Sequence, residues 1–186
     1  MTLKEMKLKV LGLIEEVNPN TQKLTDDPDI STKLNDVINQ VMFELVRHKK
    51  MPKYTEIPVS AGELLEFAQI EKKLGYEIYQ LGKVSGVNYV PRADGTVLKI
   101  TESGTAEIDC YVYPERITEK TNDSYEFELP NDLLEIMPYG IAADLLKSDV
   151  SSEYGNIYAT RYQSMLQMLD PRYQMNSIYI EGGVNI

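Results

Sequence analysis

His48 is the only histidine and Cys110 the only cysteine of the chain, so a Ser-His-Asp or Cys-His relay has one candidate base and one candidate thiol. His48 stands in the run Arg47, His48, Lys49, Lys50, where cations close a helix and complement its dipole. Cys110 falls on the apolar side of an alternating segment, where a thiol behaves as a small core residue. A reactive thiol needs a basic, partly exposed setting that this pattern does not supply, and a lone cysteine forms no intrachain disulfide. Among the carboxylates, Asp26, Asp27 and Asp29 lack the ligand spacing, central glycine and closing glutamate of a calcium loop; helix capping explains them. Glu15 with Glu16, and Glu126 with Glu128, fall on solvent faces and need no acid–base role. Neither GxGxxG nor GxxxxGK[ST] occurs. The expectation is therefore no catalytic residue, no metal site, no cofactor and no enzyme. Asn122-Asp123-Ser124 matches a glycosylation acceptor, but the opening MTLKEMKLKVLGLIEE lacks the apolar core and cleavage site of a signal peptide, so a chain that stays in the cytoplasm is expected.

These residues must be held by elements that the spacing predicts. Thr2 and Glu5 form a capping box, after which Leu3, Met6, Val10, Leu13, Ile14 and Val17 recur at helical spacing, and Asn18, Pro19 and Asn20 stop the helix. Asp27 as N-cap and Pro28 as first helical residue open a second helix. Its stripe is Ile30, Leu34, Val37, Ile38, Val41, Met42, Leu45 and Val46, and Pro52 ends it. From residue 54 to 129 the period becomes two. Ala106, Ile108, Cys110 and Val112 alternate with Glu107, Asp109, Tyr111 and Tyr113 as a half-buried strand, and Tyr125, Phe127 and Leu129 alternate with Glu126 and Glu128 in the same way. Asp94-Gly95 between residues 89–90 and 96–100 is a hairpin signal, and Glu102-Ser103-Gly104 is a second turn. Residues 56–59 are a further strand; Leu64, Leu65, Phe67 and Ile70 suggest a short helix, and Tyr76, Ile78 and Leu81 a strand. Helix returns after Pro130 with Leu133, Leu134 and Met137; Pro138 is expected to kink or break it before Ile141, Ala142, Leu145 and Leu146 resume. Ser151 or Ser152 caps a last helix with an inner stripe of Tyr154, Tyr158, Met165, Met168 and Leu169, ended by Asp170-Pro171.

With 186 residues, the chain can bury about two-thirds of its unfolded surface, and one domain with an insert is the natural count. Hydrophobic residues make up 42% and charged residues 26%, ordinary for a globular chain. No apolar run approaches the roughly 20 residues that cross a bilayer. A net charge of −10 argues against binding nucleic acid through phosphate neutralisation; the densest basic patch is Arg47, Lys49, Lys50 and Lys53. The acidity fits solubility, or a surface that DNA slides past. Thirteen tyrosines against three phenylalanines and no tryptophan suit either half-wet subunit contacts or strand surfaces.

Residues 129–183 carry the most specific pattern: YGIAADLLKSD at 139–149, YGNIYATRY at 154–162, and SIYIEGG at 177–183. This third of the chain resembles, nearly end to end, the head–tail adaptor (connector or head-completion) proteins of tailed bacteriophages. In that family YG-x-AADLLKSD and YG-x-x-Y-x-x-RY recur in the last two helices, with IEGG near the end. The alternating tail can add a strand to a sheet edge of another chain, fold back onto its own sheet, or stay unordered as many termini do. The resemblance favours contact with a portal or neighbouring subunit through Tyr173, Ile178, Tyr179 and Ile180.

The expected fold is α+β, a bundle of about four helices (residues 1–52 and 130–172) with one small antiparallel β-sheet domain inserted (residues 53–129) and an extended interaction tail (residues 173–186). The resemblance implies a virion protein, made in the host cytoplasm, whose copies form a ring, most often twelvefold in such proteins. Its implied partners are the portal protein on one side and the next neck or tail completion protein on the other, with genomic DNA passing through unbound. The competing reading is a small cytoplasmic protein- or ligand-binding module with a β insert. An enzyme would require a carboxylate-only site.

Overall fold

The computed structural model describes residues 1–15, 28–147 and 153–169. The expected stop at Asn18-Pro19-Asn20, the caps Asp27, Ser151 and Ser152, and the whole tail lie outside the described residues.

Five α-helices and six strands occur among those residues: α1 (Leu3–Leu13), α2 (Pro28–His48), β1 (Pro52–Val59), β2 (Leu64–Glu66), α3 (Phe67–Leu74), β3 (Ile78–Ser85), β4 (Tyr89–Arg92), β5 (Val97–Ile100), β6 (Gly104–Val112), α4 (Asn131–Leu146) and α5 (Glu153–Met168). The strands form two antiparallel three-stranded sheets, ordered β1-β6-β3 and β2-β5-β4. This corrects the expected bundle of four helices with a single inserted sheet. Leu65, Leu98 and Ile100 of one sheet share an apolar cluster with Val59, Ile78, Ala106, Ile108, Cys110 and Val112 of the other, sealed by Ile70 of α3. One short sheet would leave its apolar face wet; two sheets cover each other. The fifth helix, α3, lies inside the β region, with the Glu66 amide donating to Gln69 Oε1 at 2.9 Å and Gly75 closing it in the left-handed conformation.

The helices do not pack as four equivalent rods either. α4 buries Leu133, Leu134, Ile136, Met137, Pro138, Gly140, Ile141 and Ala142, so it is apolar nearly all round, and α1, α2 and α5 pack around it. That packing also answers the expected break at Pro138: the helix continues through it, the one lost backbone hydrogen bond being tolerated where neighbours hold the helix from three sides. α1 begins with the expected box, the Glu5 amide donating to Thr2 Oγ1 at 3.2 Å and the Thr2 amide to Glu5 Oε2 at 2.8 Å. α2 buries Leu34, Ile38, Val41, Met42, Leu45 and Val46.

The expected strand at Tyr125, Phe127 and Leu129 is absent. Residue 126 makes one isolated bridge to Thr2, with Leu3 N donating to Tyr125 O at 2.8 Å and Phe127 N to Met1 O at 3.2 Å. Phe127 and Leu129 are buried in the helical core instead; the N-terminal residues offer only enough backbone for a brief pairing before α1 starts. Asp94-Gly95 does join paired strands β4 and β5, through a short 3₁₀ turn at Ala93–Gly95. The turn at 102–104 carries the chain from one sheet to the other. At Gly86 (φ +80°) a Cβ would stand 2.3 Å from the Thr105 carbonyl oxygen, so only glycine fits where β3 ends beside β6.

Candidate functional site

Cys110 is fully buried in the β core. Burial, aided by Asp109, pushes its thiol up to about 11, which keeps it protonated and unreactive at neutral pH. His48 is exposed at the end of α2 and lines an open groove of about 560 Å³ with Gln40, Phe43, Glu44, Arg47 and Tyr113. The structure therefore keeps the candidate base and thiol apart. Among the described residues no group of three or more His, Cys, Asp or Glu is placed to hold a metal ion, and no helix is long and apolar enough to cross a membrane. Asn122 accepts from the Ser124 amide and hydroxyl, both at 2.9 Å, which gives the Asn-Asp-Ser triplet a local turn role.

The groove lies at a joint of rings and cations that spacing alone did not reveal. Tyr113 sits 4.7 Å from Phe43 and 4.9 Å from Tyr79 between ring centroids, in the tilted arrangements that aromatic pairs prefer. Arg47 Nε donates to the Tyr113 hydroxyl at 2.7 Å, and its guanidinium stands 5.3 Å from the ring centre. Lys50 lies over Tyr111 at 4.6 Å and Arg116 over Phe43 at 5.0 Å. The cationic run expected only to end α2 thus also clamps the helices to the first sheet, each such contact contributing roughly 0.5–1 kcal/mol where exposed. Lys49 is buried and pairs with Asp132 at the start of α4. Burial acts to raise the Asp132 carboxyl, but the hydrogen bond and charge of Lys49 outweigh it and hold it below its ordinary value.

A second polar key is Asn39, only 3% exposed inside the apolar stripe of α2. Its Nδ2 donates to Ile117 O at 2.7 Å while its Oδ1 accepts from Ile117 N at 2.8 Å, so one side chain satisfies both backbone groups of an irregular segment. An asparagine between Ile38 and Val41 was the available signal.

The Tyr-Gly motifs converge on the contact between α4 and α5. A Cβ at Gly140 would lie 2.8 Å from Tyr162 Cε2 and 2.9 Å from Val41 Cγ1, and one at Gly155 would lie 3.3 Å from Leu146 Cβ; these glycines let the helices approach closely. Tyr162 is buried and its hydroxyl bonds Glu44 Oε2 at 3.0 Å, while the Tyr158 hydroxyl donates to Leu13 O at 2.7 Å. Arg161 lies 4.3 Å from the Tyr139 ring centre, beside a groove of about 380 Å³ lined by Lys9, Leu13, Glu135, Pro138, Tyr139, Arg161 and Met165. The inward band of α5 is centred on Tyr158, Tyr162 and Leu166, which corrects the expected stripe at both ends: Tyr154 is 59% and Met168 82% exposed. With Ile157 at 55%, apolar side chains stand exposed near both ends of the helix, with exposed Arg161 and Ser164 between them. α5 is apolar over a wider arc than α4 can cover.

The expected contact residues Tyr173, Ile178, Tyr179 and Ile180 lie outside the described residues. No protein-family model matches this sequence, and no curated protein matches it.

Proposed function

We propose that the chain is a structural virion protein, a head–tail adaptor of a tailed bacteriophage, with many copies forming a ring between the portal and the next neck or tail component. The observation that carries this reading is the exposure of Tyr154, Ile157 and Met168 on α5, the helix whose inner side is buried at the Tyr-Gly motif contact. Large apolar side chains left exposed next to a well-packed contact fit an assembly face. The motif resemblance of residues 139–149 and 154–162 names the assembly. Function is then association and carries no reaction: lateral contacts close the ring, residues 173–186 engage the portal through Tyr173, Ile178, Tyr179 and Ile180, and many such contacts acting together hold what one alone would not. A net charge of −10 lets DNA pass without sticking.

The test is to incubate the purified protein with portal rings encoded beside it and to image the product by electron microscopy. A new ring of density under the portal is expected, lost when residues 173–186 are deleted although the truncated protein stays folded. A monodisperse monomer that ignores the portal would overturn the reading. It would favour the small binding module, for which the groove at Phe43, Arg47, His48 and Tyr113 is the ligand site to screen.

A further inference from the structure

The two sheets turn their apolar sides toward one shared cluster, so their outward faces lie on opposite sides of the β region. Those faces differ in charge. On the first sheet, β1 pairs with β6 so that Glu56 stands directly opposite Glu107 and Tyr54 opposite Asp109, and all four side chains are exposed. The Tyr54 hydroxyl, 54% exposed as a residue, donates to Glu56 Oε1 at 2.7 Å. Its phenol is pushed up to about 12, first by that bond and then by burial and the charges of Glu56, Glu107 and Asp109. Like charges directly opposite on paired strands repel, and among the described residues none of these carboxylates is in an ion pair.

On the second sheet the register sets Leu64, Lys99 and Val90 side by side in one outward row, with Glu66, Val97 and Arg92 in the next. Leu64 is 51% and Val90 42% exposed, and Lys99 and Arg92 are exposed without an ion pair among the described residues. One face is thus acidic around an exposed tyrosine, and the opposite face carries two cations, Lys99 and Arg92, against one carboxylate, Glu66, around exposed aliphatic side chains.

We propose that these are the two halves of a head-to-tail contact between copies of this chain: the Glu56, Glu107 and Asp109 face of one copy seats on the Lys99 and Arg92 face of the next. Resting on the ring reading, this names the surfaces that would close it. A cyclic ring needs two different, mutually complementary patches on opposite sides of each subunit. Opposite charge supplies register and selectivity, and Tyr54 against Leu64 and Val90 supplies apolar contact. A neighbour's cations also relieve the Glu56–Glu107 repulsion that the isolated subunit bears.

Charge reversal tests the contact. Lys99→Glu sets acid against acid at every interface and Glu107→Lys sets base against base, while the double variant restores attraction with its sign inverted. Both positions are exposed, so all three variants should keep wild-type circular dichroism. Ring formation on portal, scored by microscopy, and self-association at high protein concentration, scored by sedimentation velocity, are read in parallel. Each single reversal is expected to weaken association about tenfold or more, the double variant to recover it, and added salt to weaken the wild type. Full rings from the single variants, or no recovery in the double, would overturn this contact and leave the adaptor reading standing. If wild type ignores the portal yet self-associates with the same charge dependence, the adaptor reading fails and the contact survives. A wild type monomeric in both measurements overturns both.

Discussion

The helical region and the β region solve the problem of a small core in different ways. Around α4 the core is threaded with polar keys: Asn39 on Ile117, Lys49 on Asp132, and the Tyr162 hydroxyl on Glu44. The β core is apolar apart from the hydroxyl of buried Thr55, and its charges stand outside on the two sheet faces. A buried polar key tolerates one arrangement of neighbours, because any other leaves a donor or acceptor unpaired. An apolar core tolerates exchange of like for like. The helical region is therefore built for one exact register, and the β region is free to vary its surface. Assembly contacts that must change between partners sit more easily on the second kind of scaffold.

The comparison breaks most sharply at Asn39. Asn39→Ala strands the N–H and C=O of Ile117 in the core, each at roughly 1–3 kcal/mol, so a loss of about 3 kcal/mol is expected, equal to about 6–12 °C in Tm for a chain of this size. Cys110→Ala in the β core, made beside it, should cost less, since it removes one sulfur atom and strands no strong polar group. Equal losses in thermal melts would sink the claim that the helical core is the exacting one. Next comes Gly140→Ala, whose new methyl must displace Tyr162 or Val41; about 1–3 kcal/mol of overpacking loss is expected. A fully stable Gly140→Ala protein would show that the Tyr-Gly motif does not set the approach of α4 to α5.

The same contrast explains what could be read from residue order alone. The inward stripe of α2 and the buried alternation of Ala106, Ile108, Cys110 and Val112 were plain, because periodicity reports which side of an element faces inward. Periodicity does not report which strands are neighbours. β2 has three residues, too few to display a period, and it adds the third strand to the sheet that the β4–β5 hairpin forms apart from the first. Tyr125, Phe127 and Leu129 alternate as a strand would, yet burial against helices satisfies the same pattern without a ladder. On α5 the apolar arc is wider than its partner, so Tyr154 and Met168 could not be sorted from Tyr162 and Leu166 by type. The inertness of Cys110 was legible from its side of the strand. The cation–aromatic joint was not, because Arg47, Tyr79 and Tyr113 meet only after the sheet has docked on α2.

The smallest effect expected concerns pH and again separates the two regions. Burial first, then the charge and hydrogen bond of Glu44, raise the Tyr162 phenol above its ordinary value of 10.0. The fold favours the neutral phenol, so this stabilisation is complete below pH 10 and is lost as pH climbs through the raised value. Asp132 behaves in the opposite sense: its lowered carboxyl contributes stability above its ordinary value of 3.8 that fades as pH falls below it. Asp132 is 40% exposed at its side chain, so solvent screening keeps that acid contribution under about 1 kcal/mol. Thermal melts should therefore show a shallow acid limb removed by Asp132→Asn and a steeper alkaline limb above pH 10 reduced by Tyr162→Phe. At pH 7 Tyr162→Phe should cost only about 1 kcal/mol for its hydrogen bond. Tyr54 is raised too, but it stands exposed on the acidic sheet face, where solvent screening weakens the contribution, so Tyr54→Phe should reduce the alkaline limb of the monomer much less than Tyr162→Phe. If Tyr54→Phe flattened that limb as much as Tyr162→Phe, the tyrosine of the sheet face would be part of the core, and the division between an exacting helical interior and a permissive β surface would fall.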